Sequence, residues 1–170
     1  ALRSGLLNMN IQGLKSIIDD LDIPPETAKA QSLLNLLLKN PEEKKIIFTQ
    51  FIKTVDYIEE LLTRYKIPCV TFKGSMTSSE KDSAIILFKE DIPVLISTEI
   101  GGEGRNIQFC NTIINFDLPW NPMKIEQRIG RLHRIGQKKD VFIFNLSVKE
   151  TIEDYIIEIL DSKINMFEMV

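Results

Sequence analysis

Cysteine and histidine are scarce in this 170-residue chain. Cys69 and Cys110 stand far apart with no C-x-x-C, and His133 is the sole histidine. One imidazole and two distant thiols cannot assemble a metal cluster, so no metal site is readable. Both thiols fall in apolar stretches, Ile67-Pro68-Cys69-Val70 and Phe109-Cys110, which reads as buried, reduced and inert and fits a cytoplasmic compartment. Eight glycines and seven prolines are too few for collagen-like or low-complexity chains. No apolar run approaches the ~20 residues of a membrane span. The start, Ala1-Leu2-Arg3-Ser4-Gly5, lacks the basic-then-apolar order of a signal peptide, and without an initiator methionine it reads as an excised piece. No fixed-period repeat occurs, which argues against a solenoid or propeller. An excess of one charge is also missing: 21 Lys+Arg face 24 Asp+Glu. That balance decides nothing about a polyanionic partner, because binding depends on where charge sits. Finally, there is no G-x-x-x-x-G-K-[ST] and no buried-type strand ending in an acid pair, so the chain cannot cradle a magnesium nucleotide by itself.

What the chain does have is 44% apolar residues and an alternation of two periods. Residues 1–26 read as a helix, with Leu14, Ile17, Ile18 and Leu21 at helical spacing, followed by a connector at Asp22-Ile23-Pro24-Pro25-Glu26. From Thr27 the spacing predicts helix 27–39, strand 45–49, helix 51–66, strand 68–72, helix 78–89, strand 93–97, strand 112–116, helix 122–134, strand 141–146 and helix 150–165. Ile46-Ile47-Phe48, Val94-Leu95-Ile96 and Thr112-Ile113-Ile114 are apolar without alternation, as in a parallel sheet covered on both faces. The fold class is therefore α/β, a doubly wound parallel sheet, and ligands of such sheets sit outside the carboxyl ends of the strands.

Two segments at those ends carry candidate chemistry. Ser97-Thr98-Glu99-Ile100-Gly101-Gly102-Glu103-Gly104-Arg105-Asn106 holds three of the eight glycines. Glycine lets backbone N–H groups approach a phosphate, and the hydroxyls and Arg105 add donors, although a plain flexible turn has the same composition. In Gln127-Arg128-Ile129-Gly130-Arg131-Leu132-His133-Arg134, Ile125, Ile129 and Leu132 project at about 0°, 40° and 340° around the helix, and Gln127, Arg131 and Arg134 at about 200°, 240° and 180°. Between 124 and 139 there are six Lys+Arg and a single acid, while 150–168 carries six acids against Lys163. Clustered arginines without i,i+4 acids favour an anion site over a solvated face, and the planar fork of arginine suits phosphate. Asn121 before Pro122 is a good helix start. Thr49-Gln50 and Lys73-Gly74-Ser75 end strands and offer donors to a backbone phosphate, or serve equally as turn and cap residues. Arginines suited to phosphate in a chain without a nucleotide pocket suggest half of a composite site.

Taken in order and spacing, several segments resemble the second helicase lobe of Snf2-family ATPases over roughly residues 27–165. They are Lys45 through Phe51, Lys73-Gly74-Ser75, Ser97 through Asn106, Asp117-Leu118-Pro119-Trp120-Asn121-Pro122 and Gln127 through Gln137. The forms G-G-E-G-R-N-I-Q and E-Q-R-I-G-R are most similar to prokaryotic members, including the RNA-polymerase-associated subgroup. The resemblance implies a RecA-like lobe with helices on both faces of its sheet, closing on an N-terminal lobe, with ATP and Mg²⁺ between them and double-stranded DNA across both. It makes Arg131 and Arg134 arginine fingers and gives Gln127 the task of positioning them. Gly102 and Gly104 line the nucleotide side, and Thr49, Gln50, Lys73, Ser97, Thr98 and Arg105 form the DNA-facing set. Arg105 stands where eukaryotic members usually carry an apolar residue, and Lys73 where an acid is frequent. Residues 1–26 become a connector from the first lobe, and 166–170 the start of a C-terminal extension. The expected location is cytoplasmic, on the nucleoid. RNA polymerase or another DNA-bound protein is an expected partner, and no membrane is involved. Two rival readings stand beside this one: a self-contained nucleotide-sugar transferase, and a non-catalytic module that docks a partner through the basic helix.

Overall fold

The computed structural model describes residues 27–98, 107–121, 123–132 and 140–159, the side chains of 131 and 132 excepted. The expected connector 1–26 and the extension 166–170 lie outside the described residues. Within them, five short parallel strands form one sheet: β1 (Lys45–Phe48), β2 (Cys69–Phe72), β3 (Val94–Ser97), β4 (Thr112–Asn115) and β5 (Phe142–Asn145). Their spatial order is β2-β3-β1-β4-β5. The helices are α1 (Ala28–Lys39), α2 (Ile52–Arg64), α3 (Ser78–Glu90) and α4 (Met123–Leu132), followed by α5 over residues 152–159.

Each boundary has a local cause. Thr27 caps α1 by accepting from the Ala30 amide at 3.2 Å, and Thr77 and Glu80 close a reciprocal capping box at the start of α3, so four otherwise orphaned amides begin to be satisfied at each helix start. The helix expected over 51–66 stops at Arg64. Lys66 takes a positive φ of 56°, and the Ile67 and Lys66 amides turn back to the carbonyls of Leu62 and Thr63 at 2.9 and 3.0 Å. This is a Schellman-type end, here without the usual glycine. Asn121 caps α4 as the sequence leads one to expect, its Oδ1 accepting from the Met123 amide at 3.0 Å.

The two faces of the sheet follow from the period of two along each strand. One face joins Ile47, Val94, Ile96 and Ile114 to the buried stripes of α1 and α2, among them Leu33, Leu37, Val55, Ile58 and Leu62. The other joins Ile46, Phe48, Phe72, Leu95 and Ile113 to Ala84 and Phe88 of α3. All four residues of β1, β3 and β4 are buried. β2 and β5 are the edges, and β5 alternates exposed and half-buried residues. A third, small cluster of Leu118, Ile125 and Ile156 fastens α4 and α5 together beside the sheet.

Both cysteines are free, Cys110 buried and Cys69 half-buried. Burial is the first cause of their high pKa values, about 12 for Cys110 and about 11 for Cys69. At pH 8 the more acidic of the two is thiolate in only about one molecule in a thousand, and the thiolate is the nucleophile. A colorimetric disulfide reagent should therefore leave both thiols unmodified over minutes in the native domain and titrate both after denaturation. Rapid native-state modification would contradict this burial.

Candidate functional site

Strand order creates the crevice. The chain leaves β1 towards β2 on one side of the sheet and leaves β4 towards β5 on the other, yet β1 and β4 are neighbours in register, Phe48 beside Asn115. Their carboxyl-end loops diverge at this switch point, the place where open α/β sheets accept ligands. An open cleft of about 430 Å³ lies here, lined by Lys29, Lys53, Thr54, Tyr57, Phe116 and Asp117 among others.

The loop that leads from β4 towards α4 is held at three consecutive residues from two places, α1 and the loop that follows β1. Lys29 of α1 donates to the Phe116 carbonyl at 3.1 Å and pairs with Glu153 of α5 at 2.6 Å. The hydroxyl of Thr49 donates to the Asp117 carboxylate. The side-chain amide of Gln50 donates to the Leu118 carbonyl at 2.6 Å. The neutral Gln50 bond contributes about 1 kcal/mol, and the bonds that involve the Lys29 ammonium or the Asp117 carboxylate about 1.5–3 kcal/mol each. Their collective effect is to fix the path of the chain into α4.

At the last rung of the sheet the residues pointing to the α3 side are Phe72, Ser97, Phe48, Asn115 and Asn145. Arg128 of α4 is 8% exposed and reaches down to this rung. Its guanidinium lies 4.6 Å from the Phe48 ring centroid, and its Nη1 donates to Asn115 Oδ1 at 2.6 Å. Guanidinium has donors only, so Asn115 must turn its oxygen to Arg128 and its NH₂ outward. That NH₂ donates to Asn145 Oδ1 at 2.7 Å. A cation over an aromatic face, out of water, adds roughly 2 kcal/mol.

The structure thus sorts the candidate residues. Thr49 and Ser97 are buried at the carboxyl ends of β1 and β3. Gln50 and Thr98 are half-buried and Gln127 is exposed. Lys73 lies beyond β2, its ammonium 2.8 Å from Asp56 and 3.9 Å from Glu59 of α2. The Asp56 hydrogen bond is the main reason its pKa is raised. Gly102, Gly104, Arg105 and Arg134 lie outside the described residues. Arg131 is known by its backbone alone, which is helical and one turn beyond Gln127. Among the described residues no group of three His, Cys, Asp or Glu converges, and no helix is long and apolar enough to cross a membrane.

Four residues at this site escape a reading of the sequence by charge alone: Arg128, Asn115, Asn145 and Asp117. A signal for the first was present. Arg128 projects at about 300° on the same helical wheel, on the flank of the apolar stripe and away from Gln127. The two amides also had a mark, because Thr112-Ile113-Ile114-Asn115 and Phe142-Ile143-Phe144-Asn145 are apolar strands of equal length, each ending in asparagine. Asp117 had no such mark, since its partner Thr49 is 68 residues away.

In chemical terms the described site offers a fixed loop, a basic helix anchored from below and a mainly apolar cleft with Lys29, Lys53 and Asp117 along its walls. Comparison with known proteins identifies the family. Residues 28–136 match the family described as helicase conserved C-terminal domain. The chain is 46% identical over 154 residues to the uncharacterized ATP-dependent helicase YqhH of Bacillus subtilis, covering 91% of this chain and 28% of that protein. It is 37% identical over 144 residues to the RNA polymerase-associated protein RapA of Pectobacterium carotovorum, covering 82% and 15%. In three dimensions it is similar to the C-terminal part of the Fun30 ATPase domain, with a TM-score of 0.72, 31% identity and coverage of 92% of this chain and 53% of the other. The chain therefore spans roughly a quarter or less of the two bacterial relatives.

Proposed function

We propose that this chain, which belongs to the helicase conserved C-terminal domain family and to its Snf2 type, is the second lobe of an ATP-driven translocase that moves along double-stranded DNA and displaces proteins bound to it. The observation that carries the reading is the setting of α4. Ile125 and Arg128 face inward and Gln127 outward, so the basic helix is anchored over the carboxyl-end rung of β1 and β4 with its polar side at the surface, where a second lobe can meet it.

In this reading Arg131 and Arg134 reach the γ-phosphate of ATP held, with Mg²⁺, mainly by an N-terminal RecA-like lobe. Gln127 helps to position them, and Gly102 and Gly104 line the nucleotide side. Gln50, Lys73, Thr98 and Arg105 contact the DNA backbone, supported from below by Thr49 and Ser97. Contacts limited to phosphates give binding with little sequence preference and a steep salt dependence. The displaced protein is RNA polymerase or another DNA-bound protein. The name of the RapA relatives supports the first, and the place of action is the nucleoid of the cytoplasm.

The test is ATP turnover with and without duplex DNA, for this chain alone and for a protein in which the first lobe precedes it. Turnover is expected only in the two-lobed protein, and it should rise with DNA. Hydrolysis by the isolated chain, or DNA-independent turnover by the two-lobed protein, would overturn the composite-site reading. Tight binding of a nucleotide sugar by the isolated chain would favour a transferase instead.

A further inference from the structure

The finger reading leaves Lys124 and Arg128 of α4 unused, and Arg128 is the one the structure describes most fully. Arg128 is buried, stacked on Phe48 and bonded to Asn115, which is bonded in turn to Asn145. The three polar residues come from α4, β4 and β5, and the aromatic ring from β1. We propose that Arg128, with Asn115 as its acceptor, is a positioning residue that sets the rotation of α4 about its own axis and thereby the aim of Arg131. The proposal rests on the finger reading above and adds to it a residue that touches neither nucleotide nor DNA.

The physical case has three steps. First, the apolar contacts of α4 do not fix its rotation well. Ile125 packs with Leu118 and Ile156, and Ile129 is only half-buried against them. Apolar contact is non-directional, so a small roll of the helix costs little in this cluster. Second, Arg128 supplies direction. A planar fork lying on a ring and donating to one amide oxygen tolerates little rotation, because hydrogen bonds weaken steeply once bent. The amide oxygen is itself oriented, since Asn115 must keep its NH₂ on Asn145. Third, the lever is long. Side chains extend to about 6 Å from a helix axis, so a roll of about 20° displaces a side-chain tip by about 2 Å. A misplacement of about 1 Å at a reacting centre is enough to cost ~10²-fold in rate. Arg131 follows Arg128 by three residues on the same rigid helix, so any roll that Arg128 prevents is a roll of Arg131.

A double-mutant cycle on the two-lobed protein separates positioning from mere scaffolding. Arg128→Ala is expected to lower kcat by about 30- to 100-fold with KM for ATP within about twofold. Arg131→Ala is expected to lower kcat by ~10³ or more. The double variant should fall no further than Arg131→Ala alone, because Arg128 acts only through it. Full turnover in Arg131→Ala sinks the finger reading. Loss there with Arg128→Ala within twofold of the parent sinks the positioning proposal alone, as do losses that multiply in the double variant. Should Arg128→Ala fail to fold, the acceptor answers the same question. Asn115→Asp keeps an oxygen for the guanidinium and is expected to stay within about threefold of the parent. Asn115→Leu removes it and should match the Arg128→Ala loss, with equal kcat in the two Asn115 variants overturning the proposal.

Discussion

Replacing Arg131 or Arg134 by alanine in the two-lobed protein is expected to reduce ATP turnover by ~10³- to 10⁵-fold while leaving affinity for duplex DNA nearly unchanged. Charge builds up on the transferring phosphoryl group, and a guanidinium brought to it as the lobes close offsets that charge without reorganising solvent. A thousandfold loss corresponds to about 4 kcal/mol of transition-state stabilisation. That is far beyond what a surface ion pair contributes. Lysine should not restore activity at either position, because an ammonium cannot span two phosphate oxygens as the planar fork does. The DNA readout separates chemistry from folding: a variant that binds duplex normally and does not hydrolyse ATP has lost the finger, and a variant that loses both has lost the lobe. Wild-type turnover in both alanine variants would end the assignment.

The largest effect on stability is expected from Phe48→Ala. Phe48 is fully buried in the core shared with Phe72, Phe88 and Ile113, and it also floors the Arg128 guanidinium. Removing a buried phenyl ring typically costs about 3–5 kcal/mol, through lost transfer energy and the cavity left behind. At about 2–4 °C per kcal/mol for a domain of this size, the unfolding midpoint should drop by about 6–20 °C. Phe48→Leu keeps much of the volume and should cost below about 1.5 kcal/mol. It would nonetheless strip the π-face from Arg128, so its catalytic defect should exceed what its stability predicts. Calorimetric unfolding of the domain decides the first statement, and a loss under about 1 kcal/mol for alanine would show that Phe48 is not the centre of its cluster.

Elements, more than their arrangement, were legible in the chain. Ile46-Ile47-Phe48 and Val94-Leu95-Ile96 read as doubly covered strands because burial on both faces removes any need for alternation, and β1 and β3 are indeed buried throughout. Asn121 marked a helix start through chemistry confined to three residues. The insertion of β3 between β2 and β1 was not legible, because neighbours in a sheet are selected by packing between residues dozens of positions apart. Arg128 shows the same limit at one side chain. Counted among six bases it looked like part of an anion-binding face, and its helical angle, which placed it beside the apolar stripe, carried more information than its charge. Thr49 and Gln50 looked like donors for a ligand. In the fold the Thr49 hydroxyl goes to Asp117 and one N–H of the Gln50 amide to Leu118, partners that no local pattern announces, which leaves the second N–H of Gln50 for a ligand.

Trp120 is the chain's single tryptophan. It stands 74% exposed, two residues beyond the Leu118 carbonyl that Gln50 holds and one before the Asn121 cap of α4. The indole therefore rides on the segment between β4 and α4, with its emission set by water. Anything that covers that segment, a second lobe included, shifts the intrinsic fluorescence to the blue, so the domain reports such contact optically, with no dye attached.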